Sequence, residues 1–171
     1  MARRAFYSFH YKPDNWRAAQ VRNIGSIEGN RPTTDNDWET IKKAGEGAIK
    51  KWIADQMTSR SCTVVLVGTN TANRKWINHE IIQSWNDRMG VVGIHVYGLK
   101  DQDGCTSSKG DNPFHYISLG NPSTRLSSIV KCYDPKGHSS RERYDWILQN
   151  LAGAVEEAID IRIKSKDLRF S

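Results

Sequence analysis

The sequence predicts an α/β domain, a doubly wound and mostly parallel sheet of four to five strands with helices on both faces. Three observations predict it. Thr63 to Val67 is a β-branched, continuously apolar run stopped by Gly68, which marks a strand buried on both faces in the middle of a parallel sheet. The polar turn GTNTANR follows it and opens a segment in which Trp76, Ile77, Ile81 and Trp85 recur at helical spacing. Another near-continuous apolar run, Val91 to Tyr97, comes next, so strands and helices alternate.

Arg3 to Phe9 is an aromatic-rich first strand. Pro13 and Asp14 form a helix-opening pair, and Trp16, Ala19, Gln20 and Asn23 continue a helix of about three turns with a thin apolar stripe, closed by Gly25. Residues 25–36 read as a long loop in which any strand near Ile27 is short and at the sheet edge. Asn36 or Asp37 is expected to cap the next helix, with Glu39 in the capping-box position; Trp38, Ile41, Ala44, Ala48, Ile49 and Trp52 carry it as one element to about Asp55. After the central strand, the Trp76–Trp85 helix is expected to stop at Gly90. Lys100 to Asn121 is irregular, the centre of a long loop over about 98–126. Ser127 to Tyr133 is expected to be the last strand. From Arg141 a long amphipathic helix runs to about Lys164, and a frayed basic tail occupies about 165–171.

With 171 residues, six Trp, six Tyr and four Phe, the chain has the length and apolar content of a single domain spanning 1–171. No window approaches the ~18 apolar residues of a membrane span. The start lacks the apolar core of a signal peptide, so a cytoplasmic protein is expected. Cys62, Cys105 and Cys132 are odd in number and far apart, which suggests reduced thiols, two of them in strands, and no zinc site. A net charge of +6 favours anionic partners, but the basic residues are spread in singles and pairs, which speaks for a solvated surface and against nucleic acid.

Glu80 and Trp76 fall within ~40° of each other on the helix, beside the stripe of Ile77, Ile81 and Trp85 that faces the sheet. Glu80 therefore belongs at the rim of the buried face. Ligands of open α/β sheets bind outside the carboxyl ends of the strands, and a helix that starts there brings its first turns over that crevice. A carboxylate beside an indole at that edge is a candidate for chemistry. Adjacent helix positions diverge by ~100°, so His79 and Glu80 make no metal pair. The chain has no G-x-S-x-G elbow and no Gly spacing of a P-loop or Rossmann fingerprint, although the GTNT turn, with Thr69, could aim N–H groups at a phosphate.

Several segments resemble one family, the TIR-like domains that include the ThsB proteins of Thoeris antiphage systems. Ala5 to Tyr11 resembles its opening F-x-SF-H-Y box, and Thr63 to Asn70 with Asn73-Arg74-Lys75-Trp76 and Glu80-Ile81 resembles its W-x-x-x-E segment. Gly93-Ile94-His95, Lys100-Asp101, Gly104, Ser108-Lys109-Gly110 and Asn112-Pro113-Phe114 resemble the irregular stretch of this branch. The likeness covers about residues 3–116. It implies a flavodoxin-like fold and, in catalytic members, cleavage of the nicotinamide–ribose bond of NAD to give a cyclic or modified ADP-ribose signal for an effector protein. The catalytic glutamate of W-x-x-x-E falls on Glu80. No metal is implied.

With NAD as substrate, a carboxylate facing the developing ribosyl cation suffices, because the pyridine leaves neutral. Trp76 could wall the pocket or pack in the core. Phe9, His10 and Tyr11 emerge at the same edge as ring or ligand contacts, although strand alternation puts Phe9 and Tyr11 on one face and His10 on the other. Asn36 and Trp38 open the next helix near it. Homo-oligomerisation stays open, since the loop from Gly25 to Asp35 is short where receptor TIR domains make assembly contacts. Two other readings fit the residues: a non-catalytic TIR-like interaction module and, on charge alone, a nucleic-acid-associated response-regulator-like domain.

Overall fold

The alternating aromatic and apolar runs of the sequence form the strands they predict. The computed structural model describes residues 2–31, 35–120, 124–165 and 168. β1 (Arg3–Phe9), α1 (Tyr11–Arg22), β2 (Ile27–Glu28), α2 (Asp35–Lys43), α3 (Glu46–Met57), β3 (Cys62–Val67), α4 (Lys75–Asn86) and β4 (Gly90–His95) follow one another. A 3-10 turn at Pro113–Tyr116, the short strands β5 (Ser118–Leu119) and β6 (Thr124–Arg125), a second 3-10 turn at Leu126–Ser128, β7 (Cys132–Tyr133) and α5 (Ser140–Lys164) complete the described chain.

The main sheet has five strands in the order β2-β1-β3-β4-β7, every neighbouring pair parallel. This is the flavodoxin-like order, with its switch point between β1 and β3. β5 and β6 form a separate antiparallel pair. All six residues of β3 and of β4 are buried, as strands covered on both faces must be.

Alternation along the strands sorts the core into two faces. Ala5, Tyr7, Val64, Leu66, Val92 and Ile94 pack with α1 and with Ile147, Leu151 and Val155 of α5. On the other face Val65, Val67 and Val91 meet Ile77, Ile81 and Trp85 of α4 and Phe114, while Phe6 packs with Ile49, Ile53 and Met57 of α3.

Several boundaries differ from expectation. α1 begins at Tyr11, because Pro13 fits a first turn whose N–H groups are unpaired anyway, and the first i→i−4 bond is Asp14 N to His10 O at 3.2 Å. Trp16 is solvent-exposed, and the buried face carries Asp14, Arg17, Ala18 and Val21 instead. The single helix expected to reach Asp55 is two helices, broken at Gly45, whose φ of 97° suits glycine and ends the α-helical run. α2 begins at Asp35, so Asn36 and Asp37 lie in its first turn and not at its cap. α4 stops before Gly90: Arg88 takes the left-handed conformation at φ 64°, and Gly90 already belongs to β4. A Cβ on Gly90 would lie 2.6 Å from the Ile159 nitrogen, so glycine there lets α5 rest on the sheet.

β4 ends at His95, short of Tyr97, and the strand expected from Ser127 is reduced to Cys132–Tyr133 behind a 3-10 turn. Cys62 and Cys132 do sit in strands, and all three cysteines are free thiols. The basic tail lies largely outside the described residues. Leu168 is described, and its carbonyl accepts a 2.8 Å bond from the Trp85 indole, while the Arg162 guanidinium stacks 4.6 Å from the Trp85 ring and donates to the Trp85 carbonyl at 3.0 Å.

Candidate active site at the carboxyl edge of β1 and β3

β1 and β3 pair in parallel with Ser8 opposite Val65 and Phe9 opposite Leu66. Phe6, Ser8 and, by continuation of the extended backbone at φ −77° and ψ 107°, His10 therefore face α4, while Tyr7 and Phe9 face α1 and α5. α4 descends across β1 and β3 and sets Glu80 against Ser8.

The position of α4 is fixed from below. The Ser84 hydroxyl donates to the Glu80 carbonyl at 2.6 Å and meets the Thr63 hydroxyl of β3 at 2.6 Å, where Thr63 must act as donor. Ser84 and Thr63 are both fully buried, so this pair ties the helix turn that carries Glu80 to the central strand.

Burial pushes the Glu80 carboxyl up from an ordinary 4.5 to about 8, and the neighbouring Ser8 hydroxyl pulls weakly the other way. Such a group is largely neutral at neutral pH and gains its charge most readily when a cation comes to it. Ser8 Oγ and His10 Nδ1 are buried and make no hydrogen bond within the fold. Burial, and then the Arg74 guanidinium, lower the His10 imidazole below its usual range, so it is neutral at pH 7. Neutral acid, hydroxyl and neutral imidazole thus share one face of the sheet edge.

Trp76 and Trp38 are half-buried on the same side as Glu80. Both pack against the cluster of Phe6, Ile49, Ile53, Met57 and Met89, and Trp38 leans on Trp52 with ring centroids 6.1 Å apart. The Trp76 ring meets the edge of His79 at 5.5 Å and carries the Lys75 ammonium at 5.1 Å, and Lys75 pairs with Glu46. Thr69 is exposed and donates to the Ser108 carbonyl at 2.6 Å. Asn36 lies in α2, and its side chain is outside the described residues. Phe9 and Tyr11 stack on each other at 6.2 Å on the α1–α5 side, across the sheet from Glu80. Glu80, His10, Trp76 and Trp38 therefore lie on the α4 side of the sheet, and Phe9 and Tyr11 lie on the other.

The sequence reading gives Ser8, Ser84 and Thr63 no role in the site. Ser8 had a signal, since a hydroxyl in the run Ala5 to Phe9 shares the face of Phe6 and not of Tyr7. Among the described residues no group of three His, Cys, Asp or Glu is placed to hold a metal ion, and no helix is long and apolar enough to cross a membrane.

The family model for the TIR-like domain of the Thoeris protein ThsB matches residues 6–101, more than half of the chain. This chain belongs to the ThsB TIR-like domain family. The ThsB-type match runs from β1 through α4 and β4 and so contains Ser8, His10, Thr63, Glu80 and Ser84. A relative from Bacillus cereus (strain MSX-D12), named as a candidate cyclic ADP-D-ribose synthase, ThsB1, is 37% identical over 122 residues. The alignment covers 68% of this ThsB-family chain and 64% of that relative, so the chain spans less than two thirds of its length.

Proposed function

We propose that this chain is an NAD-consuming signalling enzyme of antiviral defence, which breaks the nicotinamide–ribose bond and yields a cyclic or otherwise modified ADP-ribose for an effector protein. The observation that carries the reading is the desolvated Glu80 carboxyl against Ser8, one turn below Trp76, at the switch point of the sheet. The name of the B. cereus relative supports the substrate.

In this mechanism the C–N bond to the cationic pyridine breaks, its electron pair stays on nitrogen, and nicotinamide leaves neutral. The ribosyl cation that develops is faced by Glu80. A nicotinamide cation entering the site draws the Glu80 proton away to solvent, and the resulting carboxylate, in a partly desolvated site, stabilises the oxocarbenium-like transition state more than it would in bulk solvent. Capture by water gives ADP-ribose and a proton; capture by an adenine nitrogen of the same molecule, with loss of a proton, closes the ring. His10 contacts the bound nucleotide as a neutral hydrogen-bonding group, and Trp76 walls the nicotinamide side. The setting is cytoplasmic, where NAD is available.

The test is nicotinamide release from NAD by purified protein and its Glu80→Gln variant, with and without extract of phage-infected cells as a trigger. Wild-type release that Glu80→Gln loses, with melting no lower than that of wild type, is the expected result. A folded wild type that releases no nicotinamide under either condition is an interaction module and not an enzyme.

A further inference from the structure

The carboxyl edge continues past Glu80. Val67 stands opposite His95 in the β3–β4 register, and His10 follows Phe9, which stands opposite Leu66, so His10 and His95 flank Val67 on the face that α4 covers. On β7, Tyr133 pairs with Ile94 and packs on the α1–α5 face, which turns Asp134 to the side of His95. His10, Val67, His95 and Asp134 thus form one row across four strands, about 14 Å long at the usual strand spacing.

The far end of the row is built. His95 is 6% exposed, and its Nδ1 is buried with no hydrogen-bond partner. Its ring meets Tyr97 edge-on at 5.8 Å. The Tyr97 hydroxyl donates to Asp134 at 3.0 Å, and the Arg143 guanidinium lies 5.0 Å over the Tyr97 ring and 3.4 Å from Asp134. The irregular stretch delivers a further cation. Ser107 N bonds the Tyr97 carbonyl at 2.9 Å, Thr69 Oγ1 bonds the Ser108 carbonyl at 2.6 Å, and Gly110 lies so close to the Gly68 carbonyl that a Cβ would come within 2.0 Å of it. Pinned on both sides, Lys109 reaches Asp134 at 3.2 Å. Its side chain is 56% exposed, with its ammonium free to exchange one oxygen anion for another.

We propose that Lys109 and His95 form a phosphate-binding subsite at the far end of this row, taking the diphosphate of a dinucleotide whose reacting ribose lies at Glu80. The subsite rests on the function proposed above. Lys109 supplies the point charge, released from Asp134, which keeps Tyr97 and Arg143 as partners. His95 supplies a ring N–H from the strand edge beside it; its Nδ1 is buried without a partner in the fold, so a ligand oxygen reaches it by displacing what covers the ring. The spacing of the row separates the reacting ribose at Glu80 from the phosphate end.

Calorimetric titration of the full chain with ADP-ribose, which carries the diphosphate and has no nicotinamide to lose, and with adenosine, which has no phosphate, tests this. Wild type binds ADP-ribose more tightly than adenosine, and Lys109→Ala and His95→Gln each shrink that advantage by about tenfold. If the buried His95→Gln fails to fold, the exposed Lys109→Ala decides alone. A Lys109→Ala protein that melts like wild type and keeps the full preference for ADP-ribose overturns the subsite, as does a wild type with no preference. Nicotinamide release by wild type, measured separately, then leaves the enzymatic reading standing without it.

Discussion

Glu80 makes two measurable demands of opposite sign. A carboxyl raised from 4.5 to about 8 in the folded chain binds a proton that the unfolded chain has already lost, so its contribution to stability is full below about 4.5 and disappears as pH rises through about 8. Glu80→Gln, which cannot ionise, is therefore expected to match wild type in melting temperature near pH 5 and to exceed it near pH 9. Catalysis runs the other way. Because the proposed reaction uses the charged form, kcat/KM of wild type is expected to fall as pH drops below about 8, with a slope of one proton in the acid limb. A flat profile from pH 6 to 9, with melting curves of wild type and Glu80→Gln that never separate, would show that the carboxyl is not buried as described. The sequence placed Glu80 beside Trp76 through helical spacing alone, and the structure agrees. It could not show the depth of Glu80, because that depends on Ser8 arriving from β1 through a register that no local pattern specifies.

At the scale of elements, β1 is one strand with two duties. Phe6 is 3% exposed and packs into the α3 cluster, whereas Phe9 is half-buried and leans on Tyr11 on the opposite face. Phe6→Ala is expected to cost about 3–5 kcal/mol of stability in denaturant melts. Phe9→Ala is expected to cost distinctly less and, lying across the sheet from Glu80, to leave ADP-ribose binding within about twofold by calorimetry. The strands and α5 were legible because burial writes itself into hydrophobic period: β3, β4 and the long helix from Ser140 to Lys164 all carry it. Breaks inside a good period were not. Trp38, Ile41, Ala44, Ala48 and Ile49 read as one continuous helical face, and a single backbone angle at Gly45 divides it. Likewise Ser127 to Tyr133 has strand composition, but Leu126 is drawn under Phe114 and Val130 in the α4-side core, and only two residues remain to pair.

For the whole molecule, the least expected feature is a buried charge cluster that joins distant parts of the chain. Arg17, 3% exposed, donates to Asp14 at 3.1 Å, to the Leu99 carbonyl at 2.8 Å and to the Cys105 carbonyl at 2.9 Å, so α1 holds the start of the irregular loop. Arg17→Ala strands Asp14 and two carbonyls, and a loss of about 3–5 kcal/mol is expected by urea unfolding; a loss under 1 kcal/mol would mean that water replaces the guanidinium. The sequence reading drew the stripe of α1 through Trp16, Ala19, Gln20 and Asn23, and a search for apolar residues alone passes over Asp14 and Arg17: the buried stripe there is partly ionic. α4 shows how the parts act on one another. Its lower half is fastened by Thr63 to Ser84 and by Arg162 and Leu168 to Trp85, while its upper end starts from the exposed residues Asn73, Arg74 and Lys75, with Asn73 in a left-handed conformation at φ 61°. The fastening at Ser84 grips the backbone of the very turn that carries Glu80, so the station of the carboxyl against Ser8 is set by the central strand and not by the exposed turn that opens the helix.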